Sequence, residues 1–169
     1  MSTIFIPSTI DAGQCLLFTL DDQVYGLRLS AVRRVVHAVE ITPLPHAPPD
    51  VLGIINVAGS IIAVVSVRRR FGLPEIAYRL SDRLVVARAF SSTAAPEGRL
   101  LALAVDAVLG VRDLGGEATI PSEKMLPGLD NLDGLAKTDL GIVLIYDLAM
   151  FLSRDDAKVL EAILPGRVK

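Results

Sequence analysis

Residues Val51–Val67 read VLGIINVAGSIIAVVSV, and this stretch decides the fold. Two apolar runs, Val51–Val57 and Ile61–Val67, flank the small-residue break Ala58-Gly59-Ser60. β-Branched Val and Ile dominate both runs, and each has the length of a strand. Glycine in the break permits the positive φ of a tight connection. The segment is therefore predicted to be a hairpin. It lacks apolar/polar alternation, so both of its faces must be covered, as in a barrel wall pressed against a neighbour.

Upstream, QCLLFTL (Gln14–Leu20) and VYGLRL (Val24–Leu29) flank Asp21-Asp22-Gln23 and predict a first hairpin. Ser30 has the chemistry of a helix N-cap. Val32, Val35, Val36 and Val39 follow at i, i+3, i+4 and i+7, which predicts a short helix over residues 30–39. Its valine face could plug a barrel end or dock a partner. TPLPHAPPD (Thr42–Asp50) carries four prolines and must be an extended connector. Residues Met1–Gly13 read as a loose arm without the basic and apolar regions of a signal peptide.

Downstream, Arg68-Arg69-Arg70 is the only basic run and reads as a solvated strand end. Gly72–Ser81 reads as a surface loop. Strands are predicted at Leu84–Phe90, Leu100–Val105, Val108–Leu114 and Gly141–Tyr146, with no assignment for Pro121–Thr138. Ser153 with Asp156 three residues on opens a C-terminal helix that Pro165-Gly166 ends, so 153–169 read as a helix and tail. Many short strands at hairpin spacing point to an all-β barrel or sandwich, with two halves meeting near residues 72–83.

Composition narrows the function. The 17 basic and 19 acidic side chains nearly balance, which gives no electrostatic case for nucleic acid. Cys15 is the sole cysteine, so neither a disulfide nor a cysteine-built metal site can form within the chain. No apolar run reaches the roughly 20 residues of a spanning helix, so direct membrane insertion is not expected, and a reduced, cytoplasmic setting fits. His37 and His46 show no metal spacing, and no cofactor is expected. Asp106 and Asp147 each follow an apolar strand; they could do acid/base work, or cap turns by bonding backbone N–H groups. Ser66 and Cys15 lack a nearby histidine to activate them. A small enzyme using Asp106 and Asp147 is the minority reading, and an interaction module the major one.

The order of segments resembles the CheW-like chemotaxis coupling proteins. Phe18-Thr19-Leu20 and Tyr25-Gly26-Leu27 supply the first hairpin, and Val32–Val36 the valine segment. Pro43–Gly59 then reads P-L-P-x-A-P-x-x-V-x-G-I-I-N-V-x-G, followed by Arg68–Phe71. The V-D-x-V core at Val105–Val108 and the Gly141–Leu152 segment continue the match, which spans 14–152. The resemblance implies two small five-stranded SH3-like β-barrels sharing a hydrophobic core, and no catalysis. It implies an adaptor between chemoreceptor cytoplasmic tips and the regulatory domain of a CheA-type histidine kinase. Residues implied in partner contact are Val32, Arg34, Val35, Val36, Asn56, Val57, Ala58 and Gly59. Three departures stand out. The usual N-L-R-G turn is Asn56-Val57-Ala58-Gly59, Ala63 and Ser66 stand where proline and aspartate are frequent, and Arg34 stands where a glutamate is common. A scaffold or decoy that binds a single partner is the alternative.

Overall fold

The computed structural model describes residues 13–89, 98–115, 118–121, 132–146 and 148. Within them the chain is mostly β. The strands are β1 (Gln14–Leu20), β2 (Gln23–Arg28), β3 (Val32–His37), β4 (Val51–Val57), β5 (Ser60–Ser66), β6 (Arg83–Ala89), β7 (Arg99–Val105), β8 (Ala107–Asp113), β9 (Ala118–Pro121), β10 (Leu132–Thr138) and β11 (Gly141–Tyr146). A 3-10 turn (Leu29–Ala31) precedes β3, and one turn of helix, α1 (Val67–Arg70), follows β5. Predicted strands match β1, β2 and β4–β8 to within a residue or two, and β11 outright. The Pro121–Thr138 stretch, unassigned from sequence, contains β10 and the last residue of β9. The C-terminal helix and tail at 153–169 and nearly all of the 1–13 arm lie outside the described residues.

The helix predicted over 30–39 is a strand. Ser30 sits in the 3-10 turn, and Val32–His37 pair antiparallel with β6. Valine has low helix propensity, and its branched side chain suits a pleated surface better. The 3.6-residue spacing arises because a register shift between Val32 and Arg34 inserts one residue, so the buried positions fall at Val32 and Val35. A bulged strand imitates a helical period.

Strand order is β8-β1-β2-β11-β10-β9 in a six-stranded sheet and β3-β6-β7-β5-β4 in a five-stranded one. Each contains one parallel pair, β2 with β11 and β5 with β7. The five-stranded sheet is drawn from residues 32–105, while the six-stranded sheet joins the segments on either side of it. The stretch near 72–83, where the two halves were expected to meet, instead links α1 to β6 within one sheet. Counting strands along the chain suggests a split in the middle; the parallel β2–β11 pair creates an insertion instead.

The five-stranded sheet curls until its ends meet. Thr42, just past β3, exchanges two backbone hydrogen bonds with Ile54 of β4: Thr42 N–H donates to Ile54 O at 2.9 Å, and Ile54 N–H to Thr42 O at 2.8 Å. Gly53 makes this approach possible. It lies at a register shift in β4 with φ of 152°, and a Cβ placed there would stand 2.2 Å from Thr42 O.

Burial explains why Val51–Val67 does not alternate. Ala63 and Val65 point into a large cluster with Leu16, Phe18 and Leu20 of β1 and Leu101 and Leu103 of β7. Their neighbours Ile62 and Val64 point the other way, into a cluster with Ile55, Leu84, Val86 and Ala102. Across the molecule, Cys15 and Leu17 of β1 face a third cluster with Ala136, Val143 and Ile145. Each sheet thus has its own interior and gives its other face to a shared core. This is the arrangement of two SH3-like barrels packed together, with the opening hairpin as a wall covered on both sides, as its sequence requires.

Candidate functional site

Two places on the five-stranded barrel carry the residues singled out from sequence. The first is the β4–β5 turn. Val57 pairs with Ser60, which leaves Ala58 and Gly59 as a two-residue connection with φ of 49° and 87°. Positive φ at both positions is the mark of a type I′ turn, whose twist matches that of the strands. Asn56 Oδ1 accepts from Gly59 N–H at 2.9 Å and pins the loop. Asn56, Ala58 and Gly59 are exposed, whereas Val57 is half-buried against the barrel's own interior cluster. An apolar residue at the turn is therefore explained by packing at the barrel mouth. A Val57→Asp change would strike that packing as well as any partner.

Ala58 is in the left-handed region, which costs a β-carbon-bearing residue roughly 1–2 kcal/mol and suits asparagine or glycine. Ala58→Asn should raise stability by about 0.5–1 kcal/mol, seen as a higher thermal midpoint. An unchanged or lower midpoint would show that the turn is not type I′ in solution.

The second place is β3. Val32 and Val35 are 2% exposed and belong to the shared core, so their side chains cannot meet a partner in the folded chain. This corrects their inclusion among contact residues: of the two roles open to the valine face, packing and partner docking, Val32 and Val35 take the first, in the core between the barrels. Val36 is half-buried against the five-stranded interior. Arg34 is exposed, as is its neighbour Arg33.

A third feature has more chemistry than either. α1 is capped by Ser66, whose Oγ accepts from Arg69 N–H at 3.2 Å. That role accounts for the serine considered as a nucleophile. The three arginines that follow are not a solvated strand end. Arg69 pairs with Glu75, and Arg70 with Asp50 at 3.0 Å. Arg68 is 7% exposed and reaches across to the other sheet. It takes both oxygens of Asp21, in the β1–β2 turn, at 2.8 and 3.2 Å. Its Nη2 also donates to Asp106 Oδ2, between β7 and β8, at 2.5 Å. Asp106 Oδ2 accepts from Asp21 N–H at 2.8 Å as well, and Asp106 Oδ1 is 3.7 Å from Arg79 Nη2.

The electrostatics follow from that geometry. Hydrogen bonds from Arg68 hold the Asp21 carboxyl below the ordinary carboxylate range, and bonds to Asp21 and Asp106 raise Arg68 above the usual guanidinium value. Asp106 is engaged by backbone and arginine donors, the turn-capping alternative with an ion pair added, and so is unsuited to acid/base work. Asp147 lies outside the described residues. Burial pushes the Cys15 thiol up, opposed in part by Arg28, which leaves it a neutral, inaccessible group. A cavity of about 150 Å³ beside Arg68, lined also by Tyr78, Arg79 and Asp106, is small against the roughly 300–1,000 Å³ of substrate sites. Among the described residues no cluster of three or more His, Cys, Asp or Glu could hold a metal ion. No helix among them is long and apolar enough to cross a membrane.

The signals for this ionic latch lie apart along the chain: the arginine run comes just after the largely apolar strand β5, and the two turn aspartates are far away in sequence. Only the sheet topology brings 21, 68 and 106 together.

Comparison with known proteins is consistent with this architecture. The family model for the CheW-like domain matches residues 14–156. The chemotaxis protein CheW of Rhizobium meliloti (strain 1021) is 32% identical over 95 residues, an alignment spanning 56% of this chain and 57% of that protein. The chemotaxis protein CheW of Treponema pallidum (strain Nichols) is 22% identical over 149 residues, spanning 87% and 86%. Among solved structures, the scaffolding protein TtCheW from Thermoanaerobacter tengcongensis superposes with a TM-score of 0.74 at 27% identity, covering 86% of this chain and 96% of that one.

Proposed function

Since the chain belongs to the CheW-like family of non-catalytic chemotaxis scaffolds, we propose that it couples chemoreceptor cytoplasmic tips to the regulatory domain of a CheA-type histidine kinase. The observation that carries this reading is the double barrel itself, which superposes on a scaffolding protein over most of both chains. Two barrels packed on a shared core offer two separate surfaces, as an adaptor needs, and the polar site around Arg68 is spent on internal ion pairs. On this reading the exposed turn residues Asn56, Ala58 and Gly59 and the outward side of β3 at Arg34 contribute contacts. The protein works in the cytoplasm, recruited to receptor arrays.

A narrower reading, a scaffold that binds one partner only, draws on two residues. Ala58 has no side-chain donor to offer at the turn, and Arg34 presents a cation where the family commonly has an anion. Charge reversal at a contact penalises the partner suited to the original sign. Gel filtration of the full chain with the kinase regulatory domain and a receptor cytoplasmic fragment from the same organism separates the two. Coupling predicts a ternary complex at tens of micromolar. A binary complex alone selects the single-partner reading, and binding to neither overturns both.

A further inference from the structure

Arg33 and Arg34 differ from the other arginines of the described residues. Arg28 pairs with Asp133, Arg68 with Asp21 and Asp106, Arg69 with Glu75, Arg70 with Asp50, Arg79 with Asp82 and Arg112 with Asp139. Arg83 donates to two backbone carbonyls, and Arg88 and Arg99 also have interactions within the molecule. Among the described residues, Arg33 and Arg34 alone of the arginines have no ion pair or hydrogen bond from their side chains. They are adjacent, and both are exposed, although consecutive strand residues normally face opposite ways. The bulge between Val32 and Arg34 is the cause: the inserted residue turns two successive guanidiniums outward on a strand at the end of its sheet.

The charge pattern gives this pair its setting. Residues 32–105 hold nine basic and five acidic side chains, a net of +4, while the rest of the chain holds eight and fourteen, a net of −6. All nine basic residues of that central segment are arginine, and the chain's four lysines lie outside it. Edge strands are commonly guarded with lysine, a compact and strongly hydrated charge. Arginine instead presents a planar fork that matches carboxylates bidentately. Nearby, Arg79 is paired with Asp82 and Arg83 of the adjacent strand is turned to backbone carbonyls, so the two β3 guanidiniums are the ones left open to a partner's carboxylates on this strand.

We propose that Arg33 and Arg34 form a carboxylate-reading pair that docks an acidic segment of a partner protein on the β3 edge. The inference rests on the coupling reading and gives one of its two contacts a chemistry: the partner that binds β3 carries Asp or Glu where it meets the bulge. Two adjacent exposed guanidiniums are best met by two carboxylates close together, so selection is by pattern as well as by sign.

The test uses the full chain, the kinase regulatory domain and the receptor fragment, with affinities measured by isothermal titration at low and high salt. Arg33→Glu/Arg34→Glu should weaken binding to one of the two partners by 30-fold or more, on the order expected when like charges are brought together in an interface. The wild-type affinity for that partner should fall with salt and the residual affinity of the variant should not. Lys137→Glu, an exposed charge reversal on the other sheet, should change binding less than twofold. Both variants should keep the wild-type thermal midpoint, because the side chains are exposed. Unchanged affinity for both partners, with the double variant self-associating on gel filtration, would reduce the pair to an edge guard and overturn the inference while leaving the coupling reading intact. Loss of affinity that is equal for both partners, or matched by Lys137→Glu, would overturn it as a general field effect. A wild-type chain that binds neither partner removes the coupling reading and this inference with it.

Discussion

Gly53→Ala should destabilise the protein by at least about 3 kcal/mol, enough to leave much of a marginally stable chain unfolded at physiological temperature. Two costs add at this position. The backbone φ of 152° is one that L side chains rarely adopt, and the new methyl would lie 2.2 Å from Thr42 O and 2.7 Å from Ile41 Cγ2. Backbone cannot retreat as a flexible side chain can, so relief requires breaking the Thr42–Ile54 exchange that closes the barrel. Gly59→Ala supplies the control. Its φ of 87° is also unfavourable, yet nothing lies within 4 Å of the added Cβ, so about 1 kcal/mol is expected. Denaturant titration of the two variants measures the difference; similar midpoints would show that the seam at Gly53 is looser than these contacts require.

Arg68→Met is expected to cost about 2 kcal/mol, less than the 3–5 kcal/mol typical of breaking a fully buried pair, because Asp21 is largely exposed to solvent. Methionine keeps much of the arginine's apolar stem, so the loss is read as electrostatic and hydrogen-bonding. Asp106 then keeps only the Asp21 N–H and the more distant Arg79. Adding Asp106→Asn to Arg68→Met should therefore cost less than Asp106→Asn alone, a coupling that a double-mutant cycle measures directly. The pH dependence has a defined sign. Asp21 has a carboxyl depressed in the folded state, so its contribution is present above the unfolded value of about 3.9 and is lost as pH falls through the lower folded value. Acid titration of stability should show that loss in the wild type, and a smaller one in Arg68→Met. Parallel acid profiles would mean that the latch is open in solution.

How much of this was legible in the sequence depends on the range of the interaction. The Val51–Val67 hairpin, its covered faces and its turn follow from local composition and lack of alternation, and they stand as read. Ser30–Val39 misled because a bulged strand and a short helix share an i, i+3 spacing over so few residues; either element would put Val32 and Val35 on one apolar face, and only pairing with β6 shows that the element is a strand and that this face is core. The arginine run misled for the opposite reason. Its partners Asp21 and Asp106 sit 47 and 38 residues away, beyond any local pattern, and a cation next to an apolar strand looks solvated until the topology returns a carboxylate to it. The exposed part of the candidate site was half legible: the unusual residues at Ala58 and Arg34 show in one dimension, but the bulge that aligns Arg34 with Arg33 does not.

The nesting of one sheet inside the other has a consequence for the order of events on the ribosome. β1 and β2 emerge first, but β2 must wait for β11, since Leu27 pairs with Tyr146. At roughly 5–20 residues per second, that interval is on the order of ten seconds. The central sheet, by contrast, has all of its strands within residues 32–105 and can close while the later strands are still being made. Until β8 is made the first hairpin has both edges unpaired, and until β11 is made it has one, with the apolar side chains Leu16, Phe18 and Leu20 in need of cover. The newly closed barrel offers that cover, because those three side chains belong to the face the two barrels share. The half of the molecule made in the middle thus serves as a mould for the half that begins and ends it.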